Sequence, residues 1–339
     1  MKHLFIINPV AYRVKRKVET VKKNIDVFFK DYPGIEYEIF ITEWSRDAVS
    51  YIRKYINKRD EEARNNESEN TVNLETIRVH AIGGTGLFFE VVSGVIGFKN
   101  VEIAAHPFGQ GNLFLRYFSP DYKKVFNSMK SQVFCKTVPM DVITNGNHNS
   151  ICNALLGIEA LATVLGYRLI ENKIPMDISF ALGGLWAVLK GSVGQQYTIY
   201  VDDREITGNY AGIMIANSPC YSTKMYPAID AHPDDGKLDI YLIKKSSIIK
   251  TLVNMTNYCY GRYRRIPEIV THYVARKVKI SSNETIYASM DGEILYTMSS
   301  EFEVIPGAVN FVLPDEIDLS KLPKIYNYPE EGLRGRGYE

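Results

Sequence analysis

Cysteine is scarce. The four in this 339-residue chain, Cys135, Cys152, Cys220 and Cys259, stand too far apart for a CxxC pair or a zinc-ligand cluster. They are expected to be reduced core thiols of a cytosolic protein, since a chain this long can bury a sizeable core without disulfide staples. The six histidines show no HExxH or HxH spacing. An excess of charge is also missing: 40 Lys and Arg face 39 Asp and Glu, a net charge of +1, which argues against nucleic-acid binding by bulk charge. Nowhere do 18 apolar residues run without a charge, and the longest candidate, Ile151 to Tyr167, carries Glu159 near its middle. No membrane span is expected. The start, Met1-Lys2-His3-Leu4-Phe5-Ile6-Ile7-Asn8-Pro9, has an apolar run of only four residues, too short for a signal-peptide core. Tryptophan occurs twice against 23 tyrosines, and no internal repeat or low-complexity tract is visible.

What remains is an ordinary globular composition, 45% hydrophobic and 23% charged, at a length that predicts two domains. Leu4 to Ile7 reads as a short buried strand ended by Asn8-Pro9. A helix from about Val14 to Phe29, a strand at Tyr37 to Thr42 and a helix from Asp47 to Tyr55 follow. Residues 59–76, polar and rich in Asn and Glu, are expected to form an exposed loop. Ile77 to Ile82 is a third strand running into Gly83-Gly84-Thr85-Gly86 and an apolar helix, and Val101 to Ala105 a fourth, running into Gly109-Gln110-Gly111-Asn112 and another helix. Alternating strands and helices imply an α/β domain over 1–133 with a mostly parallel sheet. From 134 to 314 short strands separated by turns dominate, with Asn145-Gly146 as a hairpin signal. That domain is expected to be mainly antiparallel, with helices at 154–166, 175–190, 246–260 and 266–273. The segment 315–339 either packs back on the first domain or stays loose.

Four features carry chemistry. Gly83-Gly84-Thr85-Gly86 sits at a strand-to-helix turn, where glycines let the backbone approach a ligand and the helix start offers N–H groups to a phosphate. It is neither a Walker A sequence nor GxGxxG, because Phe89 stands where the third glycine would be. The second turn, at 109–112, repeats the arrangement on a neighbouring strand, so both would face one crevice. Asp234-Asp235-Gly236-Lys237-Leu238-Asp239 gathers oxygen donors suited to Mg²⁺, or is a polar hairpin tip. Asp291-Gly292-Glu293 is a common hairpin turn, or offers a carboxylate general base at a strand end.

In this order the four features resemble the diacylglycerol kinase catalytic family of ATP-dependent lipid kinases. The family's Gly-Gly-Asp-Gly-Thr-Leu-x-Glu-Val signature lies on Gly83-Gly84-Thr85-Gly86-Leu87-Phe88-Phe89-Glu90-Val91, and its Pro-x-Gly-Thr-x-Asn-Asp-Phe-x-Arg on Pro107 to Arg116. Asn8-Pro9, Thr42, Asp47-Ala48, Asp141 and Asn153 to Ala160 match further motifs, while Asp-Asp-Gly-x-Leu-Asp and Asp-Gly-Glu are intact at 234–239 and 291–293. The resemblance covers about residues 4 to 315. It implies a three-layer α/β nucleotide-binding domain of the NAD kinase/diacylglycerol kinase-like kind, followed by an antiparallel β-sandwich-like lipid-binding domain. The implied cofactors are ATP and Mg²⁺. Asn8, Thr42, Gly83, Gly84, Thr85, Gly86, Glu90, Gln110 and Asn112 would surround the nucleotide; Asp291, or Glu293 beside it, would deprotonate the lipid hydroxyl; and Asp235, with the carbonyls of His232 and Lys237, would hold the metal. The implied partner is a lipid at a membrane surface, with the protein cytoplasmic or peripheral to the membrane, and a homodimer is left open.

The departures fall on the nucleotide side. Thr85 and Leu87 replace the signature Asp and Thr, Gln110 and Leu113 replace the second motif's Thr and Asp, and Glu159 replaces a later Asp. Phosphoryl transfer depends on positioning and charge neutralisation, so the loss of carboxylates matters. One reading is therefore a divergent kinase acting on diacylglycerol or a related lipid. A second is a pseudokinase that binds nucleotide or lipid as a regulator, and a sugar or nicotinamide-nucleotide kinase is a third. Two basic runs, Arg13 to Lys17 and Arg262 to Arg265, are either solvated helix faces or docking points for anionic headgroups. Trp186, with Leu182 to Leu189, is expected to serve core packing or to line an acyl pocket.

Overall fold

The computed structural model describes residues 1–9, 15–66, 74–108, 112–190, 194–219, 225–291 and 293–319. Lys2–Ile7 (β1) is buried over its last five residues, as an unbroken apolar run in a central strand requires. Lys15–Lys30 (α1) leads to Glu36–Ile41 (β2), Asp47–Asn66 (α2) to Ile77–Gly83 (β3), and Thr85–Val95 (α3) to Val101–Pro107 (β4). The four strands are parallel, in the order β4-β3-β1-β2. The chain moves outward from β1 to β2, then returns past β1 to β3. The loops after β1 and β3 therefore flank the point where the winding reverses, where open α/β sheets bind ligands. Strand alternation splits the core: Leu4, Ile6, Val79 and Ala81 pack with α2 and α3, while Phe5, Ile7 and Ile82 pack with α1. On the α1 side His3, His80 and His106 form a hydrogen-bonded chain of imidazoles, 2.9 and 3.0 Å apart. Burial lowers His3 to about 4 and His106 to about 3, so the chain is neutral.

Two short helices, Tyr122–Phe126 (α4) and Met129–Phe134 (α5), lead into Thr137–Thr144 (β5), Asn149–Ser150 (β6) and Asn153–Gly157 (β7). A helical hairpin follows, Ile158–Glu171 (α6) and Met176–Lys190 (α7). Gln195–Val201 (β8), Arg204–Ala216 (β9), Leu238–Lys244 (β10), Ile248–Cys259 (α8), Val270–Ala275 (β11), Lys277–Met290 (β12) and Glu293–Val312 (β13) complete the described elements. Pairing among the strands of this half is antiparallel. β9 and β12 each pair with β7 at one end and β8 at the other, so the sheet curls round a core that includes Tyr197, Ile213, Ile240, Ile280 and Phe302. The two halves share one sheet. The 20-residue β13 pairs with β12, then with β5, and finally, at Asn310 and Phe311, runs parallel to β4. A register shift between Ile305 and Val309, with Gly307 at φ 58, lets it change direction. Beyond it Ile317 and Leu319 pack on the first core, and 320–339 lie outside the described residues.

Several expectations are corrected. Residues 59–66 continue α2 rather than opening a loop. After residue 112 the chain makes a single 3₁₀ turn, Phe114–Tyr117, not a full helix. Residues 154–157 belong to the strand β7, and 270–273 to the strand β11, where helices were expected. β7 is buried on both faces between β9 and β12, and a short apolar strand of that kind has no period of its own. The Asn145-Gly146 hairpin closes with a four-residue loop, because Thr144 pairs with Asn149. Cys135 and Cys152 are buried, Cys259 is half-buried, none of the three joins a disulfide among the described residues, and Cys220 lies outside those residues. Among the described residues no helix is long and apolar enough to cross a membrane.

Candidate active site

α3 begins on Gly84, which is extended at φ −91 and ψ −168 and has no side chain with which to cap the helix start. Uncapped N–H groups at the start of an 11-residue helix, at the winding switch, form a ready anion-binding position. Gly83 is needed for packing: a Cβ there would sit 2.8 Å from Leu87 Cδ2. Leu87 is buried and fills the space beneath the turn. Around Gly86, by contrast, none of the described residues lies within 4 Å of an added Cβ, so its face is open toward them. The Thr85 hydroxyl accepts the Leu113 N–H at 3.2 Å and ties the two crevice loops together. Asn112 is buried, and its Oδ1 accepts the Leu115 N–H, capping the 3₁₀ turn. Asn8 N–H donates to the Ile82 carbonyl, and Thr42, also buried, bonds the Ile7 carbonyl through its N–H and hydroxyl. Gln110, with Gly109 and Gly111, lies outside the described residues.

Glu90 serves a different purpose from the expected nucleotide contact. Burial raises its carboxyl, against backbone hydrogen bonds from Arg46 and Ala48 at the start of α2, and the charge of Glu293 raises it further. A carboxylate there completes the N-terminus of α2 and braces it against α3. Sequence reasoning missed Arg46. It stands where the resembling family has glycine, and it keeps a left-handed φ of 64. Its Nη1 donates to both Glu293 oxygens at 3.2 and 3.1 Å, and His148 Nε2 lies 3.7 Å from the same carboxylate. The pair bridges the two halves of the molecule across 247 positions of sequence.

Asp291 and Glu293 belong to one turn but do different things. Met290 pairs with Glu293, and Asp291, which follows Met290, has the left-handed φ of 47 that a tight hairpin turn needs. Gly292 itself lies outside the described residues. The Asp291 carboxylate accepts the Ile151 N–H at 2.9 Å and the Asn153 N–H at 3.5 Å. Burial pushes its carboxyl up to about 7, against hydrogen bonds from the Ser150 hydroxyl and the N–H groups of Ile151, Asn153 and Cys152. Asp291, with Cys152, Asn153 and Thr163, lines one part of a small pocket whose apolar lining comes from Phe89 and Leu113 of the first half and from Leu155 and the rings of Tyr167 and Phe180 of the second. Burial and the Asp291 charge push the Tyr167 phenol up to about 12.

The loop 232–237 lies at the same end of the curled sheet, for Asn217 Nδ2 donates both to the Asp141 carbonyl and to the Ile151 carbonyl beside Asp291. The buried Asp141 carboxylate pins this loop by accepting N–H groups from Gly236 at 2.6 Å and Gly307 at 2.8 Å. Asp235 accepts the Lys237 N–H at 3.0 Å, and His232 and Lys237 are near enough to lower the Asp235 carboxyl, which burial raises. His232 Nδ1 is 3.2 Å from the Tyr117 hydroxyl, tying this loop to the first half. Among the described residues no three His, Cys, Asp or Glu side chains converge on one point. One carboxylate with backbone carbonyls is nevertheless a donor set that suits a hard cation keeping much of its water.

Comparison with known proteins follows this geometry. A Staphylococcus haemolyticus protein named "Putative lipid kinase" is 26% identical over 259 residues, covering 74% of this chain and 80% of its own. A similarly named Staphylococcus aureus protein is 23% identical over 244 residues, 70% of this chain and 77% of its own. A Bacillus anthracis crystal structure, described as a "putative diacylglycerol kinase", superposes with a TM-score of 0.69 at 20% identity, over 94% of this chain and 96% of that one. Another from the same organism gives 0.68 at 18% identity, over 94% and 98%. Residues 155–313 match the family described as the YegS C-terminal NAD kinase beta sandwich-like domain. Residues 155–313 are thus similar to that β-sandwich-like domain, the whole chain shares its fold with structures described as putative diacylglycerol kinases, and the relatives it matches are named as lipid kinases.

Proposed function

We propose that this protein is a lipid kinase that transfers the γ-phosphoryl group of ATP to the hydroxyl of diacylglycerol or a related lipid. The observation that carries the reading is Asp291, an aspartate lifted to about 7 in a small pocket that Phe89, Leu113, Leu155 and Phe180 make largely apolar. A general base works best with a pKa near the operating pH, and an apolar pocket suits an acyl-bearing acceptor. The lipid hydroxyl enters beside Asp291 and gives its proton to that carboxylate. Its oxygen then attacks the γ-phosphorus as the bond to the β-phosphate breaks and ADP leaves. Asp291 takes this role rather than Glu293, because Asp291 lines the pocket while Glu293 lies outside it in an ion pair with Arg46. The uncapped start of α3 at Gly84 to Gly86 receives the nucleotide phosphates through backbone N–H groups. Thr85 and Asn112 hold the loops that shape this position, with Asn8 and Thr42 beside it.

Mg²⁺, held by Asp235 and the carbonyls of His232 and Lys237, would supply positive charge to the loop that Asp141 pins. The two functional halves follow the boundary near residue 133, nucleotide before it and lipid after it. Transfer of labelled phosphate from ATP to diacylglycerol in mixed micelles tests the reading; Asp291→Asn protein with undiminished transfer would reject it.

The absence of carboxylates at Thr85 and Leu113 favours one other reading, a nucleotide- or lipid-binding regulator without turnover. A thermal shift with ATP, without phosphate transfer to any lipid, would select it.

A further inference from the structure

The helix α7 is apolar on every side, and such helices are normally covered all round. Phe180, Ala187 and Val188 are buried. Ile178, Leu182, Leu185, Trp186 and Leu189 recur at helical spacing along the other face, and each is 38–52% exposed. The expectation of core packing for Leu182 to Leu189 is corrected at these positions. The exposure is built in, because the hairpin cannot close further. A Cβ on Gly183 would meet the Ala162 carbonyl at 2.6 Å, and one on Gly166 the Phe180 ring at 2.6 Å. α8 lies beside α7 and buries none of its residues; Ile249 and Val253, one turn apart, are 76% and 71% exposed. An exposed apolar surface that spans two helices marks an interaction site.

Charge tells what the site meets. The 28 residues from Ile240 to Pro267, which include α8, contain Lys244, Lys245, Lys250, Arg262, Arg264 and Arg265 and no acidic residue, in a chain whose net charge is +1. Arg264 and Lys250 meet acids from outside the segment, Asp230 and Glu268, and the balance stays basic. Apolar helix faces edged by lysine and arginine fit the boundary between anionic headgroups and acyl chains. Phe180, on the inner side of α7, lines the Asp291 pocket, so the outer stripe is one helix thickness from it.

Resting on the lipid-kinase reading, we propose that the outer faces of α7 and α8 seat this protein on an anionic bilayer and bring the Asp291 pocket to the membrane surface. Trp186 lies at the acyl boundary, with the basic segment at the level of the phosphates.

The chain has two tryptophans, so Trp44→Phe leaves Trp186 as a single reporter. On adding vesicles of phosphatidylcholine and phosphatidylglycerol, Trp186 emission should shift to shorter wavelength, and the protein should float with the vesicles. Pure phosphatidylcholine, or high salt, should weaken flotation at least tenfold. Leu185→Glu in the wild-type background should abolish flotation with the melting temperature retained, and Val253→Glu, on a separate helix, should repeat the loss. Unchanged Trp186 emission, or flotation indifferent to both substitutions, would overturn the proposal. So would light scattering that shows a dimer dispersed by Leu185→Glu without vesicle binding, since a second copy would then cover the face. The two readings fail separately. Flotation that needs α7, without phosphate transfer to any lipid, keeps the docking face and defeats the kinase. Transfer to micellar lipid without flotation defeats the docking face alone.

Discussion

The two walls of the crevice solve binding in different ways. The wall at Asp291 works through one side chain held in place by the N–H groups of Ile151 and Asn153 and tuned by burial. The wall at Gly83 to Asn112 works through backbone: an uncapped helix start, an open face over Gly86, and loops tied by Thr85 and Asn112. Backbone N–H groups survive any substitution that keeps the turn, whereas a proton acceptor cannot be replaced by geometry. On the lipid-kinase reading, that difference would let positions 85 and 113 do without carboxylates while Asp291 could not be replaced. It also separates what each wall needs: shape on one side, charge on the other.

The largest expected effect removes the charge. Asp291→Asn should lower kcat by about 10²–10⁴-fold, the range for loss of a general base, in a phosphate-transfer assay. In the parent protein the base must be deprotonated to act, so kcat/KM should rise with pH up to about 7 and level above it. A flat profile from pH 6 to 8 would remove the asymmetry between the walls.

Next, acid should act on the two walls in opposite directions. The buried histidines under the first wall have folded values of about 4 and 3 for His3 and His106, below the usual 6.5. The unfolded chain therefore binds more protons, and stability is lost as pH falls from about 7 to 5, by about 2 kcal/mol per histidine. Asp291 is lifted from 3.8 to about 7, so it returns about 2 kcal/mol over the same interval. Asp291→Asn should lose this offset, and its melting temperature should fall more steeply than the parent's between pH 7 and 5.

Third, the glycine turn can be probed for shape alone. Gly83→Ala, with 2.8 Å between the new Cβ and Leu87, should cost about 1–3 kcal/mol in denaturant unfolding, and Gly83→Ala with Leu87→Ala should regain part of it. Gly86→Ala should leave stability unchanged and reduce the thermal shift given by ATP.

The smallest effect belongs to the strut between the walls. The Arg46–Glu293 pair is half exposed, so Arg46→Gly, which loses the pair but relieves the left-handed φ, should change stability by less than about 1 kcal/mol. A larger loss would mean that the walls depend on each other for their positions.

Much of this was legible in the sequence for local reasons. Glycines at 83, 84 and 86 announce a backbone-shaped turn, and Asp291-Gly292 announces a tight hairpin, because few residues tolerate those conformations. The buried runs of β1 and β3 were equally plain. β7 was not, since Asn153 to Gly157 becomes a strand only through partners more than fifty positions away. The role of Glu90 depended on where α2 begins, and that of Arg46 on a partner 247 positions on. The outward face of α7 could not be told from an inward one by pattern, because both faces carry the same residue types.

β13 has a mechanical consequence. It leaves the Asp291 turn, crosses the curled sheet and ends hydrogen-bonded to β4, whose own exit leads to the second crevice loop. A single strand stitched into both halves restrains any hinge between them, so rigid-body opening would break the pairing of Asn310 and Phe311 with β4. The crevice must then admit and release its ligands through its margins, the loops and the α6–α7 hairpin, while its two walls keep a fixed spacing like the jaws of a gauge rather than those of a clamp.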